Sequence, residues 1–262
     1  MRTGEPTPQD PGRPSFAGQV AIVTGAATGI GEAAARSFAS LGAAVLLADL
    51  SADAGAVAAE LTGLGAKAAA VRTDVTKGVE VEAMTSACLE RFGRIDVLVN
   101  GAGGFRRRIP SWEMDEAEWD LIMNINLKSV YLCSKAVLPG MIERGGGRIV
   151  NVASGAGRTA THITAGAYSA AKGGVLAFTR HLALEVARHG ITVNAVAPGV
   201  TLTPRIDALY DDGRKQALRS LVPLGRLAEA QDQAGPIVFL ASEAASYITG
   251  ATLDVNGGRY MI

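Results

Sequence analysis

The chain has 262 residues, a formal net charge of zero from 25 Lys plus Arg and 25 Asp plus Glu, and a hydrophobic fraction of 48%. This balance excludes a disordered chain, and the lack of net positive charge argues against a nucleic-acid binder. No apolar run reaches the roughly 18 residues of a membrane span, so we expect no membrane partner and a cytoplasmic location.

Residues 1–15 are rich in proline, glycine and polar side chains. Such a composition cannot bury apolar surface, and it predicts a flexible N-terminal arm. From Gln19 onward, short β-branched runs alternate with longer segments of helical period, which is typical of βαβ units. We therefore expect one domain over residues 16–262.

Seven segments are predicted as strands and six as helices. The strands are placed at 20–24, 43–49, 66–72, 95–100, 149–153, 192–197 and 252–255. The helices are placed at 29–41, 54–61, 79–92, 116–142 with a break, 168–189 and 229–240. Continuously apolar strands suit a parallel sheet covered by helices on both faces. Right-handed crossovers then predict an α/β fold, a Rossmann-type doubly wound parallel sheet of seven strands.

The first predicted strand leads into a glycine-rich turn, Thr24-Gly25-Ala26-Ala27-Thr28-Gly29-Ile30-Gly31. A helix begins within this turn, so backbone N–H groups and the positive end of the helix dipole would face a bound pyrophosphate. In this context the turn predicts a dinucleotide site. A glycine-rich turn without a ligand is the alternative.

Acidic residues follow the second and third predicted strands. Asp49 stands where dinucleotide folds place an acidic residue on the adenosine ribose hydroxyls. Its carboxylate would repel a 2′-phosphate and therefore favours NAD(H) over NADP(H), unless it only ends the strand. Asp74 either accepts a hydrogen bond from the adenine amino group or caps the turn before the next helix.

The loop after the fourth predicted strand has two notable segments. Asn100-Gly101-Ala102-Gly103 would permit close approach of a cofactor, or form a plain loop. In Arg106-Arg107-Arg108, one arginine could meet a substrate carboxylate, phosphate or thioester carrier; a solvated or subunit-contact loop is the alternative. The polar segment 201–224 is expected to be a mobile lid. Other loops that could wall the pocket carry Trp112, Arg158, His162, Arg205 and Tyr210.

Tyr168 and Lys172 lie four positions apart at the start of a helical segment, so their side chains project from one face. A close ammonium favours phenolate, and we expect Lys172 to lower the pKa of Tyr168. An exposed tyrosine beside a solvated lysine is the alternative. Ser154 ends the fifth strand, where its hydroxyl could bind a substrate oxygen or merely form a turn.

Two other kinds of chemistry are disfavoured. Ser154 lacks the Gly-x-Ser-x-Gly motif and an Asp/His pair at triad-like placement, which argues against a serine hydrolase. Cys88 and Cys133 lack metal-ligand spacing, so no metal is expected. Asn126 lies in a helical segment that asparagine does not favour. It holds a water or a helix carbonyl, or it marks a kink without catalytic role.

Together these residues closely resemble the short-chain dehydrogenase/reductase family, in its single-domain subfamily, over residues 19–262. The family usually has a second asparagine where this chain has Gly101. The matching motifs are Thr-Gly-x-x-x-Gly-Ile-Gly at 24–31, Asp74, Asn-x-Ala-Gly at 100–103, Asn126, Ser154, Tyr168-x-x-x-Lys172, and Pro198-Gly199 with Thr201 and Thr203.

The resemblance implies a role for each of these residues. Tyr168 would donate or accept the proton, and Ser154 would orient the substrate oxygen. Lys172 would bind the nicotinamide ribose and lower the pKa of Tyr168, and Asn126 would complete a water-linked proton path. The implied cofactor-binding residues are Gly25, Thr28, Gly29, Ile30, Gly31, Asp49, Asp74, Val75, Asn100, Ala102, Gly103, Tyr168, Lys172, Pro198, Gly199, Val200, Thr201 and Thr203.

The segments 190–199 and 247–262 are similar to 3-oxoacyl-carrier-protein reductases, which mostly use NADPH, whereas Asp49 favours NAD(H). The first hypothesis is an NAD-dependent oxidoreductase acting on a small-molecule secondary alcohol or ketone. The alternatives are a 3-oxoacyl-thioester reductase, a non-catalytic dinucleotide sensor and, less suited to this length, a sugar-nucleotide epimerase. Small-residue helices at 127–142 and 172–187 resemble those through which family members assemble, and they predict a homotetramer.

Overall fold

The computed structural model describes residues 14–105, 107–161 and 163–261. Strands in this part of the chain, in sequence order from β1 to β9, are Val20–Thr24, Ala44–Asp49, Ala68–Arg72, Val97–Asn100, Gly147–Val152, Ile191–Pro198, Thr201–Leu202, Ala228–Glu229 and Thr252–Val255. Helices, in sequence order from α1 to α9, are Gly29–Ser40, Asp53–Gly63, Gly78–Phe92, Glu116–Met123, Ser129–Arg144, Gly166–Val186, Pro204–Leu209, Asp212–Arg219 and Ala230–Ala241.

Seven parallel strands form the main sheet in the order β3-β2-β1-β4-β5-β6-β9. The predicted doubly wound parallel sheet is therefore confirmed. Its order reverses between β1 and β4, and in such sheets the ligand crevice opens at the carboxyl ends of the strands beside this switch point. The strand ends place the glycine turn and Asn100 side by side, since Thr24 pairs in register with Asn100.

Two apolar layers cover the sheet, one on each face. Side chains along a strand alternate between them, as the two-residue period of a strand requires. Val23 of β1 lies in the layer that contains Phe38, whereas its neighbour Ile22 lies in the layer that contains Met84 and Met141. Burial on both faces explains why these strands are apolar without polar interruption.

The break predicted within 116–142 is a single π-helical turn, Asn124–Lys128, between α4 and α5. A π-helical turn inserts an extra residue into the helix, and such turns often occur at functional sites. Asn126, at the centre of the turn, is fully buried. The sequence signal for this turn was the asparagine itself, which helices disfavour.

The segment predicted as a lid contains elements that the sequence analysis did not place. Helices α7 and α8 lie within it, and β7 pairs in parallel with β8. The side chains of Thr203 and Asp211 cap α7 and α8, and Pro204 occupies the first turn of α7. These capping signals could have located both helices.

Residues 1–13 of the predicted arm lie outside the described residues, as do Arg106 and His162. Phe16 is buried and packs edge-to-face on Phe38, with 4.9 Å between ring centroids. Among the described residues, no helix combines the length and apolar character needed to cross a membrane. The same part of the chain contains no cluster of side chains suited to hold a metal ion.

Candidate active site

A cavity of about 770 Å³ opens at the carboxyl ends of the central strands. It collects almost every residue that the sequence analysis singled out, although these lie far apart along the chain. Of the residues to which the resemblance gives a catalytic or cofactor-binding role, Asn100 and Asn126 are the two that are not part of its wall. The predicted residues that line it are Gly25, Thr28, Gly29, Ile30, Gly31, Asp49, Asp74, Val75, Ala102, Gly103, Ser154, Tyr168, Lys172, Pro198, Gly199, Val200, Thr201 and Thr203.

The glycine turn forms one end of this cavity at the N-terminus of α1. Gly25 and Gly29 have φ values of 69° and 64°, which side chains other than glycine rarely adopt. A Cβ on Gly31 would lie 2.1 Å from the carbonyl oxygen of Gly25, so only glycine lets the turn close this tightly. The result is a narrow backbone cradle at a helix N-terminus, whose shape and positive dipole fit a pyrophosphate.

Asp49 lies at the end of β2, on the wall of the cavity beside this turn. One carboxylate oxygen accepts a hydrogen bond from the Ala27 N–H at 2.9 Å, and the other accepts one from the Ser51 N–H at 2.9 Å. Each oxygen keeps a further lone pair available to a ligand hydroxyl. Asp49 therefore both fastens the glycine turn and presents negative charge to the cavity.

Asp74 forms the turn before α3. Its carboxylate accepts hydrogen bonds from the N–H of Thr76 at 3.0 Å and from the Thr76 hydroxyl at 2.6 Å. The Thr76 hydroxyl and the nearby Lys77 ammonium hold the pKa of Asp74 below its usual value. Asp74 thus caps the turn before α3, which is one of its two expected roles. Its side chain also lines the cavity, where it can contact a ligand.

Asn100 lies beneath the cavity rather than on its wall. Its amide nitrogen donates to the Asn151 side-chain oxygen at 2.8 Å and to the Ser134 hydroxyl at 3.3 Å. The adjacent Gly101 and Ala102 N–H groups lie 3.1 and 3.2 Å from the Thr24 hydroxyl oxygen. The side chain of Asn100 ties β4 to β5, so any contact with a cofactor would have to involve its backbone.

Asn126 fastens the loop that follows β4. Its side-chain oxygen accepts from the Gly104 N–H at 2.7 Å, and its amide nitrogen donates to the carbonyls of Gly104 at 2.8 Å and Ile122 at 2.9 Å. Gly103 and Gly104 have φ values of 152° and 136°. The π-helical turn thus supplies a side-chain amide that pairs with the N–H and the carbonyl of Gly104, as a neighbouring strand would. It holds the Gly103–Gly104 backbone against the cavity.

Tyr168 and Lys172 lie on the cavity wall in the first turns of α6, as their spacing predicted. The Lys172 ammonium nitrogen is 5.7 Å from the centroid of the Tyr168 ring and donates to the Val152 carbonyl at 2.7 Å. Ser154, just after β5, accepts a hydrogen bond from the Ala156 N–H at 3.1 Å. Three polar side chains from two elements therefore converge where β5 ends.

The pKa of Tyr168 shifts in the direction opposite to the sequence-based expectation, which was that Lys172 would lower it. Burial raises the pKa of Tyr168 above its usual value, although the Ser154 hydroxyl and the Arg205 charge oppose the rise. Burial and, to a smaller extent, the Arg205 charge together lower the pKa of Lys172 to about 7. Lys172 is therefore partly neutral near pH 7, and it does not act as a permanent positive charge beside the phenol.

Two wall residues near Tyr168 make contacts that the sequence did not indicate, although Arg205 was among the residues expected to wall the pocket and does line the cavity. The Phe105 ring packs against the Tyr168 ring with centroids 5.0 Å apart. Arg205, the second residue of α7, donates to the carbonyl of Gly103 and reaches across the cavity. The position of Phe105 directly after a glycine loop at a strand end was the available signal, whereas a contact between 103 and 205 has no sequence signature.

The other described residues that were predicted to wall the pocket lie outside the main cavity. Arg107, Arg108 and Tyr210 line a smaller neighbouring cavity. Trp112 is 85% exposed and lies outside both cavities. Arg158 is held in an ion pair with Asp254 at 2.8 Å and does not face the cavity.

Comparison with known proteins finds a matching family model and similar proteins that align with nearly the whole chain. A family model described as Enoyl-(Acyl carrier protein) reductase matches residues 25–259. The protein named 3-oxoacyl-acyl-carrier-protein reductase FabG of Vibrio cholerae serotype O1 is 44% identical over 245 residues, covering 94% of this chain and 98% of the relative. The protein named cis-4-hydroxycyclohexanecarboxylate dehydrogenase of Sinomonas cyclohexanicum is 45% identical over 244 residues, covering 93% and 97%.

A solved structure agrees with these relatives. The crystal structure of gox2181 superposes with a TM-score of 0.91 and 34% identity, covering 94% of this chain and 96% of that chain. The family model spans most of the chain, and the fold and the relatives lead to one classification. The chain belongs to the short-chain dehydrogenase/reductase family of oxidoreductases, which act on small molecules with a nicotinamide dinucleotide cofactor.

Proposed function

We propose that this protein is an NAD-dependent dehydrogenase/reductase that interconverts a secondary alcohol and a ketone, with Tyr168 as general acid and base. The observation that carries the proposal is the convergence of Tyr168, Ser154 and Lys172 on one cavity with the glycine turn. The turn and Asp49 would hold the adenosine and pyrophosphate, and Lys172 and 198–203 would border the nicotinamide end. When bound, the nicotinamide supplies or accepts the hydride.

Tyr168 is the residue that exchanges a proton with the substrate oxygen. Burial raises its pKa, so the phenol is protonated near neutral pH and can donate to a carbonyl oxygen during reduction. The Ser154 hydroxyl, which faces the phenol, donates a hydrogen bond to the same oxygen and orients it. Both groups then stabilise the negative charge that develops on this oxygen.

Lys172 supplies the next proton. Its pKa of about 7 lets it give up and regain a proton near neutral pH, unlike an ordinary lysine. Asn126 lies behind Gly103, and a Cβ on that glycine would be 2.7 Å from the Asn126 side-chain oxygen and 3.2 Å from the Lys172 nitrogen. This proximity supports a water-linked proton path from Lys172. Asn126 is a positioning residue, because its hydrogen bonds to Gly104 hold the loop beside this path.

The preference for NAD(H) rests on Asp49. Its carboxylate is suited to accept hydrogen bonds from the ribose diol and would repel a 2′-phosphate. Among the described residues, the basic side chains that line the cavity are Lys172, Arg205 and Arg259, all on the wall distant in the fold from β2. Arg72 is paired in register with Asp49 but does not line the cavity.

A 3-oxoacyl-thioester reductase is the second candidate. The name of the Vibrio relative favours it, and the arginines near Phe105 could attract a phosphorylated carrier. The name of the Sinomonas relative, in contrast, describes a secondary alcohol on a ring and fits the first candidate. A sensor that binds the dinucleotide without turnover is the remaining alternative.

The test is NADH oxidation followed by absorbance, with cyclic ketones and an acetoacetyl thioester as substrates and NADPH as the cofactor control. Replacing Tyr168 with Phe should lower kcat by roughly 1000-fold, the size of a general acid–base contribution, while NADH still binds. Tyr247→Phe, at a side chain that is fully exposed, is the matched control. Turnover that survives Tyr168→Phe would refute the proposed role, and turnover confined to the thioester would favour the second candidate.

Assembly as a homotetramer is also part of the proposal. Helices α5 and α6 carry apolar side chains that face outward, with exposed fractions of 45% for Tyr131, 39% for Ile142 and 79% for Leu184. Apolar side chains grouped on helices in this way are suited to contact another subunit. Light scattering after gel filtration should give four times the mass of one chain; a fully active monomer at low concentration would contradict this.

A further inference from the structure

A second cavity, of about 250 Å³, adjoins the substrate end of the main one. We call it the side cavity. Its polar wall consists of three arginines, Arg107, Arg108 and Arg214, together with Tyr210. The apolar residues that it shares with the main cavity are Phe105, Ile163 and Leu209. Because the Phe105 ring also packs on Tyr168, the side cavity lies one aromatic ring away from the proposed proton donor.

The arginines of the side cavity have no acidic partner in the part of the chain that the structure describes. No carboxylate lines this cavity, and none of its three arginines forms an ion pair with a residue in the described ranges. Two acidic residues close to this cavity along the chain are engaged in other ways: Asp211 accepts a hydrogen bond from the backbone N–H of Arg214 at 2.7 Å, and Asp207 pairs with Lys215 at 2.8 Å. Guanidinium groups gathered without counter-charges repel one another, and an anionic ligand would relieve that repulsion.

Arg259 extends the positive charge to the border between the two cavities. It lines the main cavity, and burial together with the charge of Arg214 lowers its pKa. Tyr210 lies close enough to both arginines for their charges to oppose the rise that burial causes in its pKa. Arg205, also without an acidic partner among the described residues, stands on the same side of the cavity.

This charge is local, because the chain as a whole has a formal net charge of zero. The acidic residues of the main cavity, Asp49 and Asp74, stand at the cofactor end. The cavity system is therefore acidic where the adenosine would bind and basic where the substrate would bind. Such a field selects substrates by charge.

We propose that the side cavity binds an anionic group, a carboxylate or a phosphate, carried by a small alcohol or ketone whose reacting oxygen lies at Tyr168. This inference rests on the proposed function, because it takes the main cavity as the site of the ketone. Arg107, Arg108 and Arg214 hold the anion, and the shared apolar wall at Phe105 and Leu209 contacts the carbon skeleton. The guanidinium fork is suited to both carboxylate and phosphate oxygens.

Binding can be measured without turnover in the complex with NAD⁺, in which a ketone cannot be reduced. Calorimetric titration would compare 4-oxocyclohexanecarboxylate with its neutral carboxamide, and dihydroxyacetone phosphate with dihydroxyacetone. The anionic member of at least one pair should bind about 30-fold more tightly, as expected for a charged hydrogen-bonded pair. The preference should shrink as salt is added, since the arginines are reached by solvent.

The variant Arg214→Gln tests the assignment to the side cavity. It should reduce the preference for the anionic ligand by about tenfold. Arg219→Gln is the matched control. Arg219 lies on the same helix α8, its side chain hydrogen-bonds to Gln216 and to no other described residue, and it lines neither cavity. It should leave the preference unchanged.

Three results would overturn the inference: equal binding of charged and neutral partners, a preference that Arg214→Gln does not change, or no binding of any of these ketones while NAD⁺ binds. Failure of the proposed function is distinguishable, because it would appear in the turnover assay, as NADH oxidation that is absent with every ketone or that survives Tyr168→Phe, whereas these titrations measure binding alone.

Discussion

The two ends of the cavity are built in different ways. The cofactor end consists of strand ends and the first turn of α1, and its side chains are small or are fixed by backbone hydrogen bonds, as Asp49 is by Ala27. The substrate end consists of loop residues and the short helices α7 and α8, and its long arginine side chains have few partners. The rigid end serves a cofactor shared by a whole family, whereas the other end can vary with the substrate.

The largest effect should come from closing the cofactor end. Gly31→Ala places a Cβ against the Gly25 carbonyl, an overlap of backbone that the turn can relieve only by opening. We expect NADH binding to weaken about 1000-fold, about 4 kcal/mol, measured by fluorescence titration. Gly55→Ala in α2, where a Cβ would meet nothing within 4 Å, is the control and should bind NADH normally. Normal binding by Gly31→Ala would show that the turn does not form the site.

The junction between the two ends depends on Asn126. Asn126→Leu removes three hydrogen bonds of a fully buried amide and leaves the N–H and carbonyl of Gly104 without partners. The free energy of unfolding should fall by about 3 kcal/mol in urea denaturation. Asn124→Leu, in the same π-helical turn but without side-chain hydrogen bonds to described residues, should cost much less. Equal losses would assign the effect to the turn and not to the amide.

The pH dependence of stability should reveal the buried Lys172. Its pKa is about 7 in the folded protein and about 10.4 in an unfolded chain, so the unfolded chain binds more protons between these values. The penalty for burying the charge is complete below about pH 7 and disappears as pH rises toward 10.4. Relative to Lys172→Met, the wild type should gain about 2 kcal/mol between about pH 7 and pH 9.

Urea denaturation at both pH values measures this gain. Lys135→Met on α5 is the control, because Lys135 is exposed and should show no such change. Burial raises the pKa of the Cys88 and Cys133 thiols to about 12 in the folded protein, whereas thiols of the unfolded chain titrate at about 8.5; this contribution is common to all three proteins and cancels. A difference that does not change with pH would mean that Lys172 keeps an ordinary pKa.

A smaller effect concerns which cofactor the acidic end accepts. Asp49→Asn removes the negative charge and keeps one oxygen to accept from the backbone of the turn. The ratio of kcat/KM for NADH to that for NADPH should fall about tenfold, because the repulsion of a 2′-phosphate is lost. Asp53→Asn, at an exposed residue nearby that does not line the cavity, should leave the ratio unchanged. An unchanged ratio in Asp49→Asn would remove the basis for the NAD(H) assignment.

The two ends also differ in how far the sequence predicts them. Strand periodicity and the glycine spacing locate the turn and Asp49, and the four-residue spacing on a helix locates the Tyr168–Lys172 pair. These features can be predicted because they depend on local geometry. The contact of Arg205 with Gly103 joins residues about a hundred positions apart and leaves no local pattern. The pKa values of Tyr168 and Lys172 likewise follow from burial, which depends on the packing of several elements and not on the spacing of two residues.

The most direct test of the two-ended cavity is a crystal structure of the protein with NAD⁺ and 4-oxocyclohexanecarboxylate. The account predicts ribose hydroxyls within hydrogen-bond distance of Asp49, the ketone oxygen between Tyr168 and Ser154, and the carboxylate in the side cavity at Arg214. A dinucleotide bound in the opposite direction, with its adenosine against the arginines and Asp49 facing solvent, would contradict it.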